Sequence, residues 1–241
     1  MAGYLYLGKK KVCPAILIGG GGTTSILPLF DVDNNGLISW KTVIDGSGIK
    51  EIQRDSLCGM SGSVFTTGYE VIEEVYFPDL ETIGDYGLIN AFNEFESIKI
   101  VSFPKLKTIG KEGLYVAIGN TSSLISTDFS SLETIDESGM WGALVNSRMT
   151  TISFPKLNYI GEDGMVYCFL GSVTLTSVYF NSLTSSSFYD DDVFYNMLNF
   201  TQNCTVHFPS NLQSVIGNWS DVLGGFGGTN TTVLFDLPAT E

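Results

Sequence analysis

Apolar residues recur at fixed offsets around a phenylalanine that itself returns at positions 77, 103, 129, 154, 180 and 208. Five residues before it stand Ile72, Ile98, Leu124, Met149 and Leu175. Two before it stand Val75, Val101, Ile152, Val178 and Val206, with Thr127 as the polar exception. Three after it come Leu80, Leu106, Leu132, Leu157 and Leu183, and six after it Ile83, Ile109, Ile135 and Ile160. A repeat in the mid-twenties with constant apolar positions predicts a solenoid. No coil buries these side chains alone. Stacked at the strand spacing of about 4.8 Å, the coils join each set into a continuous interior ladder.

The stretch between ladders is also repeated. Phe154-Pro-Lys-Leu-Asn-Tyr-Ile-Gly-Glu-Asp-Gly-Met165 nearly copies Phe103-Pro-Lys-Leu-Lys-Thr-Ile-Gly-Lys-Glu-Gly-Leu114 and the strings that start at Phe77 and Phe129. The run after each Ile-Gly reads as a helical turn or two. Glu162 and Asp163 precede Met165–Leu170, where a helix N-terminus favours acids. Left-handed stops fall at Asn93, Gly119-Asn120, Asn146, Gly171 and Asn199. Each coil is expected to be a short strand, a turn and a short helix.

In this respect the chain resembles the leucine-rich repeats, and in particular the bacterial BspA-like subclass, with Phe-Pro in place of its Ile-Pro and Gly-Leu or Gly-Met in place of its Ala-Phe. The resemblance spans about residues 44–217. It implies a right-handed α/β solenoid and a non-enzymatic recognition role. The segments on either side are then an N-terminal β-hairpin cap over residues 1–43 and a Gly-rich linker with a closing strand or tail over residues 218–241.

The N-terminal segment differs in kind from the repeats. Tyr4–Leu7 and Val12–Ile18 read as a hairpin with the lysines at its tip. Tyr6-Leu-Gly-Lys-Lys-Lys-Val-Cys-Pro14 is similar to short modules that begin some phage and prophage proteins of gut bacteria. That similarity implies an alternative role as a structural or host-contact part of a particle, with homo-oligomer formation or assembly through residues 1–30. Asp31-Val-Asp-Asn-Asn-Gly-Leu-Ile-Ser39 has two readings. As a calcium loop it offers Asp31, Asp33 and Asn35 as ligands and Gly36 at the sharp turn, but Thr42 stands where the bidentate carboxylate belongs. As a hairpin it pairs Leu29–Asp33 with Leu37–Lys41 around Asn35-Gly36, and this is the favoured reading. No other cofactor is implied.

Charge narrows the partners. Twelve basic residues face 26 acidic ones, a formal net charge of −14, which disfavours nucleic acid and anionic membrane surfaces. No apolar run approaches the roughly 20 residues of a membrane span, and no signal peptide is evident, so cell surface, virion and cytoplasm all stay open. Cys13, Cys58, Cys168 and Cys204 lack metal-ligand spacing and read as buried thiols. The single histidine, His207, has no activating neighbours in sequence, and the acids fall at solvated positions, so no enzyme is predicted. Strand alternation instead turns the residue before each Phe outward. Tyr76, Ser102, Asp128, Ser153, Tyr179 and His207 therefore form an expected ligand-binding row for protein or carbohydrate.

Overall fold

The computed structural model describes residues 43–54, 57, 72–216 and 230–240, and the backbone of four short strands before them. Within these residues the chain is a parallel β-solenoid of about six coils, each wound through two strands and a turn-rich back. The coils stack in register. Ile52, Ile83, Ile109, Ile135 and Ile160 are successive partners in one sheet, and Phe188 bridges to Ile160 as the next rung. All five isoleucines are fully buried, as the repeat requires.

The second sheet, the front, carries the strand before each Phe. Its β-branched inward residues Val75, Val101, Val178 and Val206 are buried, and the residues beside them are half-buried or exposed, which is the period of a one-sided strand. Behind them the phenylalanines form one stacked column. Phe77, Phe103, Phe129, Phe154, Phe180 and Phe208 follow one another at centroid separations of 5.3–5.9 Å. Phe235 extends the column at 6.1 Å from Phe208, because Thr232–Leu237 pairs in parallel with Thr205–Pro209. The closing strand is therefore one more rung of the array. Each stacked pair adds about 0.5–1.5 kcal/mol beyond the area it buries.

The backs of the coils are not helices, contrary to the expectation from sequence. Every fourth residue takes positive φ: Tyr86, Asn90 and Glu94 in one coil, Glu112, Val116 and Asn120 in the next, then Ser138, Gly142 and Asn146. Each such residue stops a helix after one turn. The freed N–H groups reach across instead: those of Tyr86, Leu88, Asn90, Phe92 and Glu94 donate to the carbonyls of Lys111, Gly113, Tyr115, Ala117 and Gly119. Three-residue turns such as Ala91 to Leu88 hold the alternate donors. Hydrogen bonding between coils thus continues over the back and offsets the strain of roughly 1–2 kcal/mol that a left-handed residue carries. Of the stops expected from sequence, Asn120, Asn146 and Gly171 do take positive φ, while Glu94 and Phe200 do so beside Asn93 and Asn199. Among the described residues the helices are Ser210–Leu212 and Gln213–Ile216.

The Gly ten residues after Phe77, Phe103, Phe129 and Phe154 has a packing reason. A Cβ on Gly164 would meet Ile160 Cγ2 at 2.6 Å, so the isoleucine ladder occupies the space a side chain would need. Asp190–Asp192 precedes such a turn-rich back and so caps no helix; the Asp192 N–H donates to Asp190 Oδ1 at 3.1 Å.

The front sheet is interrupted once. Glu74–Tyr76, Ile100–Ser102 and Ser126–Asp128 belong to one sheet, and Thr151–Phe154, Ser177–Phe180, Thr205–Pro209 and Thr232–Leu237 to another. The break lies where the Phe step shortens, between Phe129 and Phe154. The other strand sheet and the back run through it without a gap.

Near the N-terminus, Phe30–Val32 pairs antiparallel with Ile38–Trp40, the hairpin expected there. Tyr6–Leu7 pairs with Lys10–Lys11, which places two of the lysines in a strand rather than at the tip. Of the calcium-loop residues, Asp31 lies in the hairpin backbone, and Asp33 and Asn35 lie outside the described residues. Cys168 and Cys204 are buried free thiols whose pKa values burial raises, Cys204 to about 12. Cys13 and Cys58 lie outside the described residues.

Candidate functional site

The front row is assembled by strand register, in two pieces. Tyr76, Ser102 and Asp128 are direct partners. Ser153, Tyr179, His207 and Leu234 are direct partners in the second sheet. The interruption separates Asp128 from Ser153, so the expected continuous row is two short rows.

The N-terminal piece is the simpler. The Tyr76 hydroxyl donates to Glu74 Oε2 at 3.0 Å, which raises the phenol pKa. Asp128 Oδ1 accepts the Ser130 N–H at 2.8 Å. These are local bonds that fix exposed side chains, and neither brings a second polar group into the row.

The C-terminal piece is built across coils. The Tyr179 and His207 rings stack at 4.3 Å with an 11° interplanar angle. His207 Nδ1 lies 2.9 Å and 3.0 Å from the two carboxylate oxygens of Asp236, in the closing strand. The histidine side chain is 13% exposed and the Asp236 side chain 48%. The carboxylate favours the tautomer with the proton on Nδ1, which leaves Nε2 as an acceptor in the neutral ring. Ser153 Oγ donates to Asn181 Oδ1 at 3.3 Å beside this group. A nucleophile and base pair requires a hydroxyl or thiol bonded to the histidine. Here both ring bonds run through Nδ1 to a carboxylate, an arrangement that orients the ring.

Two features escaped the sequence reading. Asp236 reaches His207 over 29 residues, from a segment read as closing strand or tail. On the opposite side, Tyr115, Trp141, Tyr167 and Tyr195 form a stripe along the coil backs, with centroids 4.6, 5.2 and 6.2 Å apart in succession. Counted from the Phe of each repeat, Tyr115, Trp141 and Tyr167 fall at offsets of 12, 12 and 13, and Tyr195 at 15, a signal the core ladders overshadowed. Beside them, Asn120 Nδ2 donates to Asn93 Oδ1 at 3.3 Å and Asn146 Nδ2 to Asn120 Oδ1 at 2.8 Å.

No group of three or more His, Cys, Asp or Glu among the described residues has metal-holding geometry. No helix there is long and apolar enough to cross a membrane. No family model, curated protein or solved structure matches the chain.

Proposed function

We propose that the chain is a non-enzymatic recognition module of leucine-rich-repeat type, binding protein or carbohydrate through the outward side chains of its front sheet. The observation that carries this reading is the Tyr179–His207–Asp236 group. Its rings are stacked and its imidazole is held by a carboxylate before any ligand arrives. Side chains ordered in advance avoid the roughly 0.5–1.5 kcal/mol that immobilising each one costs on binding. Aromatic anchors of this kind dominate the energetics of protein interfaces. Carboxylates on the same face, Glu74, Asp128 and Asp236, favour a protein over a neutral sugar as the occupant of this row. In this reading the hairpins of residues 1–43 close the N-terminal end of the core. The particle-assembly alternative rests on residues 1–30, most of which lie outside the described residues.

Affinity capture from cell surfaces and secretions, with direct titration of the captured protein, tests the front row. Tyr179→Ala and His207→Ala should each weaken binding about tenfold, the equivalent of 1.4 kcal/mol, with melting temperatures close to wild type. Identical capture profiles for wild type and both variants would remove the row from consideration.

A further inference from the structure

The back of the coils differs from the rest of the surface in chemistry. The segments 114–120, 140–147, 165–171 and 193–200 contain no Asp, Glu, Lys or Arg, in a chain of net charge −14. In place of charges they present the aromatic stripe. Tyr115, Trp141 and Tyr167 are half-buried, and Tyr195 is 48% exposed. Asn120 and Asn146 are exposed alongside, with Asn196 half-buried.

We propose that this face is a binding platform for a neutral polysaccharide. Tyr115 and Trp141 lie face to face at an interplanar angle of 4°, while Tyr167 turns 76° from Trp141 and Tyr195 turns 76° from Tyr167. At an edge-to-face contact one of the two rings offers only its edge, so that contact leaves its π-faces uncovered. Such a face attracts the C–H groups of a sugar ring. The amides supply the complementary half. Asn120 and Asn146 each spend one N–H on the asparagine of the preceding coil, and Asn196 donates to the Tyr167 hydroxyl at 3.5 Å; each retains a second N–H for a ligand hydroxyl. The backbone beneath is fixed by hydrogen bonds between coils, Gly142 to Val166, Leu144 to Cys168 and Asn146 to Leu170 among them, so the rows hold their spacing in the free protein.

Charge decides between occupants. An anionic ligand seated here would lose water without gaining a counter-charge. It would also meet the Glu112 carboxylate, which adds to burial in raising the Tyr115 pKa. The segments themselves hold no acid to pair with a cation along the stripe. A wholly apolar partner would leave the amides unpaired. A second copy of the chain needs about 800 Å² per partner for a stable interface. Four coils about 4.8 Å apart offer a strip of roughly 15 by 20 Å, or about 300 Å². An extended neutral glycan, narrow, hydroxyl-rich and apolar on its ring faces, meets all of these conditions.

Affinity electrophoresis of the full chain through gels containing β-glucan, mannan, galactan or starch, with alginate as the anionic control, tests the proposal. At least one neutral polymer should retard the wild type, and alginate should not. Tyr167→Ala and Tyr195→Ala should each raise the apparent Kd about tenfold, and Tyr189→Ala, at an exposed tyrosine outside both the stripe and the front row, should leave it unchanged. Tyr195 lies at the exposed end of the stripe, so its variant tests binding even if Trp141→Ala fails to fold. The proposal is overturned if no neutral polymer retards the wild type, if only alginate does, or if the Tyr167 and Tyr195 variants run as wild type. It is also overturned if those variants instead abolish a concentration-dependent dimer seen by sedimentation in the absence of any retardation.

Discussion

Thr127 stands where the other coils place Val75, Val101, Ile152, Val178 and Val206, and its Oγ1 is buried with no hydrogen-bond partner. An unpaired buried hydroxyl costs about 1–3 kcal/mol. Thr127→Val removes that penalty with little change of shape and should stabilise the fold by about 1 kcal/mol, read as a higher urea midpoint at unchanged slope. A lower midpoint would mean that the hydroxyl has a partner in solution. Phe129 gives the opposite case. It stacks on Phe103 at 5.8 Å and on Phe154 at 5.9 Å and is almost fully buried. Phe129→Ala should therefore cost about 3–5 kcal/mol. Both residues were legible in the sequence, since ladder membership is set by position in the repeat. Asp236 was not, because its contact with His207 spans coils and depends on a closing strand whose register no local pattern fixes.

At the scale of elements, strand positions were readable and the coil backs were not. β-Branched residues at constant offsets identify a strand without knowledge of its neighbours. Positive φ at Val116, Tyr167 and Phe200 has no local sequence signal, because such residues avoid that region in isolation. They adopt it here because bonds to the adjacent coil outweigh the strain. The gap in the front sheet arises from length. Asn120-Thr-Ser-Ser-Leu124 in one coil is answered by the shorter Asn146-Ser-Arg-Met149 in the next. The Arg148 N–H donates to the Leu124 carbonyl at 2.7 Å, and the strand that follows is displaced from its ladder partner. Phe77 and Phe103 donate their N–H groups to Ser102 and Asp128 of the next coil, a bond for which Phe129 has no counterpart. Inserting one serine between Ser147 and Arg148 restores the full step and should close the sheet. The Phe129 amide would then exchange with solvent markedly more slowly than in wild type. Unchanged exchange at Phe129 would show that the step length does not cause the gap.

Across the whole molecule, the two ends are held together by different forces. Ion pairs between coils concentrate in the N-terminal half: Lys99–Glu73, Lys105–Asp79, Lys107–Glu81 and Lys111–Glu137. Residues 164–189 carry no Asp, Glu, Lys or Arg, and there the Phe column, the buried Ser147–Ser172 pair and the strand ladders remain. The hydrogen bond from Lys105 holds Asp79 below the usual carboxylate range, and that from Lys107 does the same for Glu81. A carboxyl with a lowered folded pKa adds stability above its unfolded value, about 4, and loses it as pH falls through the lowered value. Asp190 has the opposite sign. Burial raises its pKa, so protonation relieves a cost in the C-terminal half. Because a solenoid is stabilised coil by coil rather than through one central core, these opposite signs act on different coils. Between pH 7 and pH 3, protection factors, that is exchange corrected for the intrinsic slowing of amide exchange in acid, should therefore fall first over residues 72–137, while residues 164–216 keep their protection. About 1 M salt at pH 7, which shortens the screening length to about 3 Å, should shift the balance the same way but less. Hydrogen exchange read coil by coil separates this from a single cooperative loss. If both halves open together at low pH, the charge pairs are surface decoration on one cooperative unit, and the division of forces along the axis has no energetic weight.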